Sequence, residues 1–217
     1  KKFWAISIPV VLLLAFLAYQ RNFVWKDEIS LWSDSAKKSP GGERPYHNLA
    51  IAYHEKGEED KALENYEKAL QLNDKLSKAY NAVGVILIRR GEKEKGIEYF
   101  KKSVETDPEA FEGYANLGTF YLYEHQYEKA VENHILAIQK DPDPQKRNSW
   151  KPFYELGAAY FLMGKIEKTK EIIEWLKEIG KTDLAQKLER IRTGEEDPFT
   201  PTDETAPPGG VEIMNIQ

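Results

Sequence analysis

The stretch SKAYNAVGVILIRRGEKEKGIEYFKKSVETDPEA, residues 77–110, decides the fold. Large and small apolar residues fall at Tyr80, Val83, Gly84 and Leu87, and after Gly91 again at Gly96, Phe100 and Ser103, with Pro108 at the exit. Spacings of three and four place each set on one face of a helix. Gly91 stands where a left-handed residue ends the first helix and lets the chain turn back. Two antiparallel helices approach closely only where one side is small, which Gly84 and Gly96 provide. A single helical hairpin cannot bury its apolar face alone, so the stretch implies neighbours of its own kind.

The sequence supplies them at a fixed period of 34 residues. From Glu43 the same offsets read Tyr46, Leu49, Ala50 and Tyr53, then Ala62, Tyr66 and Ala69; from Phe111 they read Tyr114, Leu117, Gly118 and Tyr121, then Ala130, His134 and Ala137, closing on Pro142. A fourth copy follows the insert Gln145 to Ser149 and begins at Trp150, with Phe153, Leu156, Gly157, Tyr160, Thr169, Ile173 and Leu176. Gly57, Gly91 and Gly164 occupy the internal turns, whereas the third copy has His125-Gln126 there, which predicts a tighter or more strained turn. These positions resemble the signature of the tetratricopeptide repeat (TPR): large, large, small, large on helix A, small, large, small on helix B, then proline. The resemblance covers residues 43–183 and implies an all-α fold, a right-handed superhelical solenoid of antiparallel helix pairs.

The flanks complete the organisation. Asp27 to Lys38, with Trp25, Ile29, Leu31, Trp32 and Pro40, reads as a lone helix B, a degenerate half-repeat over 23–42. Asp183 to Arg192, with Leu184, Leu188 and Ile191 at helical spacing, is the expected capping helix of the array, assigned to 184–193. The four repeats are expected at 43–76, 77–110, 111–144 and 150–183, and an acidic, proline-rich tail at 194–217. That tail has a disordered composition, though its end, Val211 to Ile216, is apolar enough to dock.

Residues 3–19 carry no charge and lie between Lys1-Lys2 and Arg21. Seventeen residues at 1.5 Å rise cover roughly 26 Å against a hydrocarbon core of about 30 Å, so Trp4, Tyr19 and the flanking cations would have to complete a crossing. The expectation is a transmembrane helix within 1–22, with a cleaved signal peptide or a buried helix as alternatives. Phe16 and Ala18 make a poor small-x-small cleavage site. The start at Lys1 without Met reads as a piece of something longer.

Composition narrows the function. Hydrophobic residues at 41% allow a sizeable core, and the absence of cysteine excludes disulfides, thiolate metal sites and cysteine nucleophiles. Six acidic residues and no Lys or Arg fall within 193–217, so the net charge of -5 leaves residues 1–192 near +1. No basic stripe with interleaved aromatics marks a nucleic-acid partner. His47 and His54 lie two helical turns apart, about 10 Å, too far to share a metal ion. No phosphate loop, catalytic constellation or cofactor motif stands out, so the chain is not expected to be an enzyme.

The TPR resemblance implies that a protein or peptide partner binds the concave face made by the A helices. The candidate residues on it are Arg44, Asn48, Lys78, Asn81, Glu112, Asn116, Lys151 and Glu155, all read as exposed. Asn48 and Asn116 are equivalent positions two repeats apart, and an amide can donate to and accept from an extended backbone. This resembles the asparagine ladder of the nucleocytoplasmic glycosyltransferase acting on serine and threonine, broken here by Ala82; solubility or local capping is the other reading. The chaperone-tail carboxylate clamp is begun by Arg44, Asn48 and Lys78 but spoiled by Ala82 and Glu112.

The junction Tyr19-Gln20-Arg21-Asn22, Trp25-Lys26-Asp27-Glu28, Leu31-Trp32 and Lys38-Ser39-Pro40 is similar to polytopic membrane glycosyltransferase-like proteins that end in TPR repeats. That implies an array in the periplasm or lumen behind a last spanning helix. The expected function is therefore a membrane-tethered scaffold, anchored through residues 3–19. Its alternatives are a recruiting C-terminal domain of a membrane glycosyltransferase and a self-assembly module.

Overall fold

The computed structural model describes residues 2–141 and 150–199, without the side chains of residues 2–8 and 22–24. The described residues form eleven helices and no strand. They divide into two units, Lys1–Asp74 and Lys75–Gln217.

The first unit holds α1 (Lys2–Val24), α2 (Glu28–Lys38), α3 (Glu43–Glu55) and α4 (Glu59–Leu72). Asp27 starts α2 with a capping box: its carboxylate accepts the Ser30 N–H at 2.8 Å while the Ser30 hydroxyl lies 3.2 Å from the Asp27 N–H. The Ser30 N–H, and the Ser30 hydroxyl 2.9 Å from the same carboxylate oxygen, favour the charged carboxylate and hold its pKa below the ordinary value. The helix α2 packs on α3, and α3 on α4, where Ala50, Ala62, Tyr66 and Ala69 are buried.

The helix α1 differs from all the others. It has no apolar stripe, and its described large side chains, Val10 to Leu14, Phe16 and Leu17, are all about half exposed or more. Among the described residues no helix is long and apolar enough to cross a membrane. The spanning segment expected over 3–19 falls in part on residues whose side chains lie outside that description.

The second unit stacks α5 (Ser77–Arg89), α6 (Lys93–Thr106), α7 (Phe111–Tyr123), α8 (Tyr127–Lys140), α9 (Trp150–Leu162), α10 (Ile166–Glu178) and α11 (Thr182–Thr193). Each packs on the next, and α5, α7, α9 and α11 also touch in succession, so one face of this unit is made of alternate helices. The insert at 145–149 lies outside the described residues.

The turns inside the pairs repeat one geometry. Glu58, Glu92, Gln126 and Lys165 donate their N–H groups five residues back, to the carbonyls of Tyr53, Leu87, Tyr121 and Tyr160, at 2.8–2.9 Å. This closure needs a left-handed residue in front of the donor. Gly57, Gly91 and Gly164 supply it with φ of 73°, 79° and 72°; in the third pair His125 supplies it with φ of 55°. The expected strain is present, borne by one non-glycine residue within an unchanged hydrogen-bond pattern.

Packing between the helices of a pair rests on the small residues of helix A. A Cβ on Gly84 would lie 2.6 Å from the Phe100 ring and 3.0 Å from the Gly96 carbonyl. A Cβ on Gly118 would lie 2.6 Å from Nδ1 of His134. The glycines therefore make room less for their small counterparts on helix B than for the large residue one turn further on. In the fourth pair Gly157 serves two helices, facing Ile172 of α10 and Leu188 of α11.

Candidate functional site

The face made by α5, α7, α9 and α11 carries six of the eight candidate residues. The other two, Arg44 and Asn48, belong to α3 of the first unit, the former exposed and the latter half-buried.

On α5 and α7 the side chains converge. The Asn116 amide donates to the Asn81 carbonyl oxygen at 2.9 Å, across 35 positions of sequence. Asn81 also lines an open depression of about 170 Å³ with Lys78, Ser103, Ala110, Glu112 and Gly113. That volume is below the range usual for small-molecule pockets, roughly 300–1,000 Å³, and suits one side chain or a stretch of peptide backbone. Its floor is built by the repeat itself. Gly113 leaves room for Ser103 and Val104, and the Ser103 hydroxyl donates to the Ser77 carbonyl at 2.9 Å. Lys78 brings positive and Glu112 negative charge to its rim, so the depression has no single sign. In the sequence Ser103 belongs to the packing signature and Gly113 to no motif, so neither hints at a site.

Further along, the structure corrects the reading of Glu155 as an exposed groove residue: it is buried, at 6% exposure. Its Oε2 accepts the Thr119 hydroxyl at 2.6 Å and its Oε1 lies 3.7 Å from the Lys151 ammonium. Lys151 is half-buried and orients that carboxylate from one turn earlier on α9. The same Oε2 lies 3.5 Å from Nε2 of His134, whose ring is fully buried with no hydrogen-bond partner on either nitrogen among the described residues. Burial pushes the His134 pKa down to about 4, against the pull of the Glu155 carboxylate and helped by Lys151. Nothing in the local spacing joins Thr119, His134 and Glu155, which come from α7, α8 and α9.

This cluster predicts an acid-sensitive stability. Between about pH 6.5 and pH 4 an unfolded chain carries a proton on this imidazole that the folded one lacks, so acid favours unfolding. The contribution is fully present above pH 6.5, declines by up to about 1.4 kcal/mol per pH unit below it, and levels off below pH 4, roughly 3 kcal/mol in all. Urea melts of wild type and His134→Gln between pH 7 and 4 check this; equal slopes would remove His134 as the source.

Beyond α11 the chain folds back along α11 and against the turn between α7 and α8. Glu196 pairs with Arg190 at 2.9 Å and Lys187 at 3.4 Å, and its charge helps burial raise the pKa of the Tyr154 hydroxyl. Phe199 then sets its ring against Tyr123 and His125, with centroids 5.7 and 5.3 Å away. Tyr123 is itself held up to about pKa 12, by burial and by the Glu155 charge. The composition of 194–217 reads as a free acidic tail; residues 195–199 are instead attached to the repeats, while 200–217, with the apolar end Val211 to Ile216, lie outside the described residues. The described residues contain no group of three or more His, Asp or Glu able to hold a metal ion.

Residues 44–76, 77–109 and 99–132 each match a model of the tetratricopeptide repeat. The third match is displaced in phase and starts inside α6. No curated protein matches the chain. Among solved structures, YrrB, described as a TPR protein with an unusual peptide-binding site, aligns at a TM-score of 0.62 and 18% identity over 77% of this chain and 86% of its own. The C-terminal part of a TPR repeat-containing protein from Cytophaga hutchinsonii aligns at 0.62 and 20% identity, over 86% and 74%. PilW, described as a type IV pilus biogenesis factor, aligns at 0.57 and 18% identity, over 84% and 92%. At these identities the likeness concerns the fold.

Proposed function

We propose, since the chain belongs to the tetratricopeptide-repeat family, that it is a peptide-binding scaffold held at a membrane by α1. The observation that carries the binding role is the Asn116–Asn81 pair beside the depression at Lys78 and Glu112. Side-chain amides fixed by one hydrogen bond keep further donors and acceptors for an extended backbone, and little entropy is lost when it docks. YrrB, named for a peptide-binding site, is the parallel.

Membrane tethering is supported by α1 itself. A helix that is apolar all round is either a core helix or a membrane segment. This one packs against α2 and leaves Val10 to Leu14 exposed. A lipid environment is the surrounding in which that surface costs nothing. The array then lies next to the bilayer.

Both parts are testable in one experiment with the full chain and phosphatidylcholine vesicles. The chain should float with the vesicles and retain peptides from an unstructured pool. The N81A/N116A double variant should float equally but bind peptide roughly tenfold more weakly, the cost of about one lost hydrogen bond. Failure to float would refute the tether; unchanged peptide retention would refute the asparagine site.

A further inference from the structure

The third internal turn is the exception among four. Where the others use glycine, the chain holds His125 at φ 55°, a conformation that costs a side-chain-bearing residue free energy. The imidazole this strain presents is used. Its Nδ1 lies 2.9 Å from the Tyr127 hydroxyl, and its ring meets Phe199 edge to face at an interplanar angle of 81°. Phe199 packs on the cluster of Leu122, Ala130 and Ala159, beside Tyr127 and Leu162. Three residues earlier Glu196 meets Arg190 and Lys187, the latter with its side chain only 7% exposed. Between these two anchors the Asp197 carboxylate accepts the Phe199 N–H at 2.8 Å and fixes the bend at Pro198.

We propose that this constellation is a recognition site for a linear peptide bearing a carboxylate three residues before a phenylalanine, and that Glu196 to Phe199 fills it in cis as an internal mimic of that ligand. The proposal rests on the reading of the array as a peptide binder but uses none of the asparagine site. The chemistry of each subsite sets the specificity. An aromatic pocket with an imidazole edge takes a flat ring, and two cations one helical turn apart on α11 take a carboxylate. The two groups lie three residues apart along a turn closed by the Asp197 carboxylate, which sets their spacing in the ligand. The occupant in trans is a segment of a partner protein with the same acidic-x-x-Phe pattern. The internal copy, tethered by only Gly194 and Glu195 to the end of α11, competes at high effective concentration and keeps the site closed to weak ligands.

The probe is a fluorescein-labelled peptide of residues 193–200, TGEEDPFT, titrated against the full chain by anisotropy. Phe199→Ala vacates the aromatic pocket, and Glu196→Lys repels the segment from Arg190 while leaving the pocket intact. The expected result is saturable binding to both variants, on the order of tenfold or more tighter than to wild type, lost when the peptide's Phe is replaced by Ala. Unaltered helical circular dichroism confirms that each variant is folded, and either one suffices. Equal affinity for wild type and a folded variant, or binding indifferent to the peptide's Phe, would overturn the site. N81A/N116A should leave this titration unchanged, so the two binding readings fail separately.

Discussion

Phe100→Ala should destabilise the second unit by about 3–5 kcal/mol, the range for removing a large buried aromatic. Phe100 is 1% exposed and lies at the centre of a cluster with Val85, Ile88, Leu117 and Phe120, so its ring joins α5, α6 and α7. Gly84→Ala attacks the same contact from the other side. Its new Cβ would fall 2.6 Å from the Phe100 ring, and with the Gly96 carbonyl 3.0 Å away neither helix can yield by rotation alone. Overpacking of this kind costs about 1–3 kcal/mol. The two effects should be strongly non-additive: in the F100A background the alanine at position 84 has space and should cost much less. Urea melts of the four proteins in the cycle measure this. An undiminished penalty in the F100A background would show that Gly84 is needed for something other than the ring.

Leu188→Ala should have a comparable cost, about 2–5 kcal/mol, but a local signature. Leu188 is fully buried on the capping helix, in a cluster with Trp150, Tyr154, Ile173 and Leu176, and its Cδ2 fills the space left by Gly157. Stability in a repeat array is close to a sum of neighbour interfaces. Loss of this one should release α9 to α11 first, with faster amide exchange there and retained protection in α5 and α6. Hydrogen exchange followed by mass spectrometry distinguishes this from a uniform loss, which would mean that the second unit unfolds as a single block.

Much of the fold is legible in the sequence, for identifiable reasons. Packing inside a helix pair is local in sequence, so the recurrence of Gly84, Phe100 and Ser103 at their offsets specifies the hairpin. The backbone needs of the turns show in Gly57, Gly91 and Gly164, and the lack of a glycine at His125 marks that turn as strained. The candidate face is legible only in part. Lys78 and Glu112 come together because they share a phase of the repeat, whereas Asn116 shares its phase with Ala82 and meets Asn81, one position out of phase. Glu155 shares the phase of Asn116, yet it is buried, because Thr119 from the preceding repeat meets its carboxylate and Glu196 from the segment after α11 comes near the adjacent Tyr154.

What the sequence determined by itself is whatever repeats: the period, the helix pairs and the small residues at close approach. Periodicity is the imprint of neighbour packing, and neighbour packing is the same in every copy. The tertiary structure alone decided what occurs once. It brought His134 to Glu155, set Phe199 against the His125 ring, and laid Glu196 against Lys187 and Arg190. Each of these contacts joins residues from different helices or from outside the repeats, where one side chain's position depends on the folded path of the rest and leaves no period to read.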